Sequence, residues 1–208
     1  MTITAAPREP GARGRGLDVA RTQEIYRSAV ALLAEVGYDR LTMDAVAARA
    51  KASKATLYRR WPGKAELITE AIYALQGESD ELPDTGDLRG DLLAFFAHVG
   101  EDKGQSQVCM IRGLVSACSS DEALAVAFRQ QLVNAKRERL LRILQRARDR
   151  GTIAASCDID FLVDVLPAAL MYRFLVTNQP VDQGFIRRLI DDIALPLLIP
   201  PTICTNHQ

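Results

Sequence analysis

The sequence lacks the features that mark secreted, membrane-spanning and metal-binding proteins. Its four cysteines, Cys109, Cys118, Cys157 and Cys204, fit neither a zinc-ligand spacing nor a dense disulfide framework. No apolar run approaches the roughly 20 residues of a membrane span, and the opening MTITAAPREP lacks the apolar core of a signal peptide. These absences predict a soluble, cytoplasmic protein with reduced thiols and with neither a metal nor a cofactor.

The chain also lacks a net charge, because 26 Lys and Arg balance 26 Asp and Glu. The charges are nevertheless unevenly distributed. From Arg8 to Lys64 there are twelve basic and six acidic residues, so this segment carries +6 and the remainder −6. A basic segment is the electrostatic signature of phosphate contact, and an acidic remainder disfavours unspecific coating of DNA.

Strand-like alternation and internal repeats are missing as well, whereas apolar residues recur at helical spacing along most of the chain. Gly37 is a natural end for the first helix, and Pro167 predicts a kink or a displaced start in the penultimate one. Within 208 residues there is room for one or two compact units. The pattern predicts helices over 18–36, 64–75, 87–101, 106–118, 121–150, 160–176 and 185–198.

Residues 42–64, TMDAVAARAKASKATLYRRWPGK, predict two short helices joined by a tight turn. Thr42 and Ser53 are good N-cap residues for these helices. The second helix presents hydroxyls, a phenol and guanidinium groups, while Leu57 and Trp61 can turn inward. A polar helix that a neighbouring helix supports suits the major groove of DNA. We interpret the stretch as a helix-turn-helix.

This reading, with the polar and broken stretch 76–86, gives a predicted order of domains. Three arginines of the amino-terminal arm, Arg8, Arg13 and Arg15, either follow a phosphate backbone or enter a minor groove, or belong to a solvated tail without a role. The predicted domains are a disordered basic arm (1–17), a helix-turn-helix domain (18–63), a connecting helix (64–79), a C-terminal helical domain (80–200) and a flexible tail (201–208).

The segment SKATLYRRWPGKAEL, preceded by LLAEVGYDRLTMDAVAARA, closely resembles the DNA-binding region of TetR-type transcriptional repressors. The resemblance rests on Gly37-Tyr38, Thr42, Leu57-Tyr58 with Trp61, and Lys64, and it covers about residues 21–75. The later segments PAALMYRFLVTNQPVD and IRRLIDDIALPLL look like the last two helices of one branch of that family.

The resemblance implies an all-α fold, with a three-helix DNA-binding head followed by a helical bundle that binds a ligand and dimerises. The dimer would form through residues 160–176 and 185–198 and would bind a double-stranded, near-palindromic operator as a ligand-responsive repressor. The residues that match DNA-contacting positions of the family are Thr42, Ser53, Lys54, Thr56, Tyr58, Arg59, Arg60 and Lys64.

Physical chemistry sorts these residues into two groups. Thr42 and Lys64 stand at helix starts, where backbone N–H groups and a positive dipole meet phosphate, and we expect Tyr58 to donate to a phosphate. Base edges are assigned to three further residues, because Arg bonds guanine O6 and N7 and Thr offers a methyl group to thymine. These three are Lys54, Thr56 and Arg59. Arg60 is left open between base and backbone.

A ligand pocket in the bundle would bind a small apolar or amphipathic molecule and orient it with a few polar groups. His98, Arg112 and Tyr172 are equivalent candidates for that polar role. The residues assigned to the pocket are Phe95, His98, Met110, Arg112, Leu114, Phe128, Met171 and Tyr172.

Two rival functions and one further surface remain. A DNA-binding regulator without an inducer is the first rival. The second is an enzyme, which is disfavoured because no nucleophile, base and orienting group stand at a recognisable spacing.

An arginine-rich helix face resembles a second DNA site, but we expect it to be a solvated face. This face comprises Arg137, Arg139, Arg142, Arg146, Arg148 and Arg150.

Overall fold

The computed structural model describes residues 12–75, 81–97, 99 and 104–199, with only the backbone described for 12–18 and 104–109. Every regular element over these residues is helical, which confirms the all-α prediction. The chain divides into two compact units, Met1–Leu75 and Gln76–Gln208. None of the described helices is long and apolar enough to cross a membrane.

Over its described residues, 12–75, the first unit contains four helices. They are α1 (Ala12–Arg40), α2 (Met43–Arg49), α3 (Lys54–Arg60) and α4 (Lys64–Leu75). α1 is interrupted at Gly37, whose backbone leaves the helical region with a φ of 74°. Its start at Ala12 corrects the prediction of a helix that begins at residue 18. Adding residues to an existing helix is far easier than nucleating one, so α1 extends toward the amino terminus. The first eleven residues of the predicted basic arm lie outside the described residues.

The two short helices begin at the predicted caps. Thr42 Oγ1 accepts from the Ala45 N–H at 3.2 Å, and Ser53 Oγ accepts from the Thr56 N–H at 3.1 Å. Behind them lies a core in which Ile25, Leu57 and Ile68 are fully buried. Helices of seven residues have little stability of their own, so this packing holds α2 and α3 in place.

The second unit contains seven α-helices among the described residues, and three π-helical segments extend or join them. The segments are Arg129–Asn134, Tyr172–Val176 and Leu189–Ala194. The α-helices are α5 (Leu88–Phe95), α6 (Gly104–Ala117), α7 (Glu122–Phe128), α8 (Ala135–Asp149), α9 (Ile159–Met171), α10 (Gln183–Arg188) and α11 (Leu195–Leu198).

The core of the second unit joins α5, α8, α9 and the carboxy-terminal helices. Leu92, Leu144, Leu166 and Ile190 are fully buried in it. Pro167 lies inside α9, where it cannot donate a backbone hydrogen bond, and α-helical geometry ends four residues later at Met171. The predicted helix over 87–101 is shorter than expected, since α5 ends at Phe95 and turns follow.

Candidate nucleic-acid interface

α3 has one buried face and one exposed face. Leu57 and Trp61 are 0% and 1% exposed, which confirms the prediction that they belong to the core. Tyr58, which is 54% exposed, and Arg59 point away from that core. The helix therefore presents a polar surface that its own apolar side chains orient.

The buried face of α3 is fixed by a carboxylate on α4 that sequence reasoning missed. The Trp61 Nε1–H donates to Glu70 Oε2 at 2.8 Å, and the Tyr26 hydroxyl donates to Glu70 Oε1. The Tyr26 and Trp61 rings meet edge to face, with centroids 5.8 Å apart. Burial raises the pKa of Tyr26 well above its usual range, and the Glu70 carboxylate adds to that shift. Because a buried indole N–H needs an acceptor, the presence of Trp61 was the sequence signal that pointed to a partner such as Glu70.

Two of the predicted DNA-contacting cations are engaged within the first unit. Arg60 donates to the Thr22 hydroxyl, and its guanidinium lies 5.3 Å from the centroid of the Trp61 ring. The Lys64 ammonium donates to the Tyr38 carbonyl at 3.0 Å and lies 4.2 Å from the centroid of the Tyr38 ring. The Tyr38 carbonyl and ring are uncharged, so Lys64 keeps its charge available to a nearby phosphate.

Two further cations have acidic partners. Lys54 Nζ lies 2.5 Å from Asp44 Oδ2, and both side chains are more than half exposed. Arg49 donates to both carboxylate oxygens of Glu35, at 2.6 and 2.7 Å. The Arg49 guanidinium lowers the pKa of Glu35, mainly through these hydrogen bonds. Arg49 and Lys54 are thus neutralised locally.

The remaining predicted DNA-contacting residues are of two kinds. Some use their hydroxyls in the caps of α2 and α3, and the others have no side-chain partner among the described residues. The hydroxyls of Thr42 and Ser53 accept the cap hydrogen bonds, and Thr56 Oγ1 lies 2.8 Å from Ser53 Oγ. Among the described residues, Tyr58 and Arg59 have no side-chain hydrogen bond or ion pair, so their phenol and guanidinium face solvent unpaired.

The residues assigned to a ligand pocket lie in different environments. Leu114 is fully buried; Phe95, Met110, Arg112, Phe128 and Met171 are half-buried; and Tyr172 is 61% exposed. Tyr172 therefore lies on the outside of its unit rather than in the interior, because the segment Tyr172–Val176 buries Phe174 instead. His98 lies outside the described residues.

Arg112 is the pocket candidate with the most defined surroundings. Its Nη2 donates to the Phe174 carbonyl at 2.6 Å and to Asn178 Oδ1 at 2.9 Å. The guanidinium lies 5.3 Å from the centroid of the Phe174 ring. Its Nε is buried and has no hydrogen-bond partner among the described residues. An acceptor atom next to this nitrogen would be bound favourably.

The arginine-rich face of α8 is largely paired, which corrects the expectation of a solvated face: Arg137, Arg146 and Arg150 form ion pairs, and Arg148 bonds the Cys157 carbonyl. Arg146 donates to Asp91, whose side chain is only 3% exposed, at 2.9 Å. Arg137 bonds Asp160 and Asp164 of α9, both at 3.0 Å. Arg139 is buried. Acidic side chains on neighbouring segments neutralise these cations, so the face is poorly suited to hold DNA.

Exposed apolar side chains form a stripe on the last helices of the second unit. Phe161, Tyr172 and Val176 are each more than 60% exposed and recur at helical spacing along α9 and its π-helical extension. Ile193 and Leu197, four residues apart, are exposed on the carboxy-terminal helix. Several large apolar side chains exposed on helices that pack together are typical of a protein interface.

Comparison with known proteins agrees with the geometry of both units. Residues 25–71 match the family described as bacterial regulatory proteins, tetR family, and residues 82–193 match the tetracyclin repressor-like C-terminal domain. The chain is 41% identical to the HTH-type transcriptional regulator Rv1556 of Mycobacterium tuberculosis over 88% of its own length and 90% of the relative. It is 38% identical to the DNA-binding transcriptional repressor TetR of Mycobacteroides abscessus, over 86% and 95%.

A solved structure extends this similarity to three dimensions. The TetR family transcription regulator SCO0332 superposes with a TM-score of 0.70 at 32% identity, covering 86% of this chain and 99% of that one. Both units of the chain therefore have counterparts in one family of proteins.

Proposed function

The chain belongs to the TetR family of DNA-binding transcriptional regulators, and from this premise we propose that it is a cytoplasmic, ligand-responsive repressor that binds a near-palindromic operator as a homodimer. The observation that carries the proposal is the outer face of α3, where Tyr58 and Arg59 are exposed and unpaired among the described residues. A cation and a phenol held on a short, well-anchored helix suit readout of base edges and phosphates.

We assign base readout to Arg59, Lys54 and Thr56, and phosphate contact to Tyr58, Thr42 and Lys64. Arg59 fits guanine best, because its guanidinium is free to donate two parallel hydrogen bonds. Lys64 contacts phosphate while it remains bound to the Tyr38 carbonyl, since an ammonium has three donors. Arg60 and Ser53 support the helix from its sides and reach only the DNA backbone.

The homodimer follows from the apolar stripe on the second unit. Phe161, Tyr172 and Val176 supply one half of each contact surface, and Ile193 and Leu197 supply the other. Pairing this stripe with its copy removes apolar surface from water, and a two-fold axis places the same patch on both subunits. Two DNA-binding heads related in this way address successive major-groove faces, about 34 Å apart.

The ligand-binding part of the proposal concerns Arg112. Its buried Nε calls for an acceptor, and the half-buried Phe95 and Met110 offer apolar surface on the same unit. A small, mostly apolar molecule with a carboxylate or carbonyl oxygen matches this combination. Binding must favour one arrangement of the second unit over another for operator affinity to change.

Selection of bound fragments from genomic DNA by the full chain tests the proposal. We expect one enriched palindromic motif and a dimer in light scattering. Arg59→Ala should cost about 1–3 kcal/mol on the selected site and relax the preference at one base pair. The matched control is Arg27→Ala, which removes an exposed arginine of α1 that pairs with Glu24. Fragments without a shared motif would refute the proposal.

The dimer surface is tested with a pair of valine substitutions. Val176→Asp places a charge in the apolar stripe, whereas Val133→Asp places one at an exposed valine outside it. Only the first should produce a monomer, and the monomer should lose most of its operator affinity because one head remains per molecule. Dissociation by both substitutions, or by neither, would contradict this assignment.

A further inference from the structure

The helix-turn-helix segment contains a single acidic residue. Residues 42–64 carry six basic side chains, and Asp44 is the only acid among them. Its Oδ2 lies 2.5 Å from Nζ of Lys54, one of the residues to which we assign base readout. The acid therefore contacts a cation that is expected to enter the major groove.

Helix dipoles explain why the two side chains pair. Asp44 lies in the first turn of α2, where a negative charge is stabilised, and Lys54 is the first residue of α3, where a positive charge is disfavoured. The Asp44 carboxylate therefore offsets the unfavourable interaction between the Lys54 ammonium and the positive end of the α3 dipole. Since the two side chains are 64% and 56% exposed, the pair adds little to the stability of the fold. The pair lies at the start of α3, the helix to which we assign base readout and which we call the reading helix. This position indicates a role in DNA binding.

We propose that Asp44 is a specificity-determining residue that competes with DNA phosphates for Lys54. The inference rests on the proposed function, because it concerns the same DNA-binding surface. Complexes with unspecific DNA depend almost entirely on cations that neutralise phosphates. Lys54 is already neutralised by Asp44, and a phosphate that approaches it meets the carboxylate. Unspecific complexes are therefore weakened.

The operator complex is penalised less. A guanine offers O6 and N7 to a lysine inside the major groove, away from the phosphates. Lys54 can take such an acceptor while Asp44 stays near its ammonium, because that group carries three donors. Asp44 thus lowers unspecific affinity more than operator affinity and raises the ratio between them.

The other cations of the segment do not share this arrangement. Lys64 bonds an uncharged group, the Tyr38 carbonyl. Arg49 pairs with an acid, but that acid is Glu35 on α1 rather than a residue of the segment itself. Among the described ion pairs of the first unit, the one between Asp44 and Lys54 joins α2 directly to the start of the reading helix.

The test compares the full chain with D44N, K54Q and the double variant. The probes are a selected operator duplex and a scrambled duplex of the same length, each measured by fluorescence anisotropy from 50 to 200 mM salt. D39N is the charge-matched control, because Asp39 is an exposed acid whose carboxylate has no ion pair with the described residues. All variants change exposed side chains, so the fold is retained.

D44N should bind the scrambled duplex about fivefold more tightly at 50 mM salt, the effect of one unit charge at about 4 Å in water. The slope of log affinity against log salt should steepen by about one, so the gain shrinks about fourfold by 200 mM salt. Operator affinity should change by less than twofold. In the K54Q background, Asp44→Asn should have little effect, because the cation for which the carboxylate competes is gone.

Three results would overturn the inference. They are an equal gain for the operator and the scrambled duplex, a gain that persists in the K54Q background, and an equal gain in D39N. If the wild-type chain selects no sequence at all, the proposed function fails and the inference fails with it. That outcome is distinguishable, because it appears before any variant is compared.

Discussion

Replacing Glu70 by alanine should loosen the reading helix from its support. The carboxylate accepts hydrogen bonds from Trp61 Nε1 and from the Tyr26 hydroxyl, and these two side chains are 1% and 5% exposed. Without Glu70, both donors remain buried and unsatisfied. Each loss costs about 1–3 kcal/mol. Relief of the half-buried carboxylate offsets part of this, so we expect a net loss of about 3 kcal/mol.

The assay uses the single tryptophan of the chain, Trp61, whose fluorescence reports on the junction of α3 with α4. In urea, a domain of this size has an m-value of about 1 kcal/mol/M, so the midpoint of the Trp61 transition should fall by about 3 M. Glu70→Gln keeps one acceptor oxygen and should lose about half as much. Operator affinity should fall in the same order, because α3 is less well oriented.

Glu66→Ala is the matched control. Glu66 is another half-buried glutamate of α4, and neither Trp61 nor Tyr26 bonds it. This variant should stay within about 0.5 kcal/mol of the wild type, the range of ordinary surface substitutions. Equal losses in Glu66→Ala and Glu70→Ala, or no loss in Glu70→Ala, would refute the reasoning.

Two further predictions concern other buried polar groups. The pKa of Tyr26 is raised by burial and by Glu70, so the contribution of Tyr26 to stability is complete below about pH 10 and is lost above it. Above pH 10, the unfolding free energy measured by Trp61 fluorescence should fall by up to about 1.4 kcal/mol per pH unit. Tyr26→Phe should remove this slope. Asp91→Asn should destabilise the second unit by about 2–4 kcal/mol in thermal melts followed by circular dichroism, because Arg146 loses its buried partner, while Asp164→Asn, at an exposed pair, should cost under about 1 kcal/mol.

The helix-turn-helix could be predicted because its determinants are local. Thr42 and Ser53 each cap a helix by bonding the N–H three residues later, and Leu57 and Trp61 are the apolar residues of a short polar helix. Such patterns are complete within one or two turns of helix. The buried positions of Leu57 and Trp61 were therefore predicted correctly.

Interactions between distant residues could not be predicted in this way. Arg146 and Asp91 are separated by 55 residues, and Arg137 bonds acids 23 and 27 residues away. A helix that alternates leucines and arginines looks solvated until the acids that pack beside it are known. The π-helical segments are a second example, since no residue pattern distinguished Arg129–Asn134 from ordinary helix.

The short length of α3 bears on how a ligand response would operate. Seven residues span about 10 Å and do not form a stable helix alone. The orientation of α3 therefore depends on Leu57, on Trp61 and on the bond from Trp61 to Glu70 of α4. A movement of α4 would carry α3 with it and leave the arrangement of Tyr58 and Arg59 unchanged. A ligand signal that arrives along α4 should then alter the spacing of two heads and lower operator affinity, without changing which bases each head prefers.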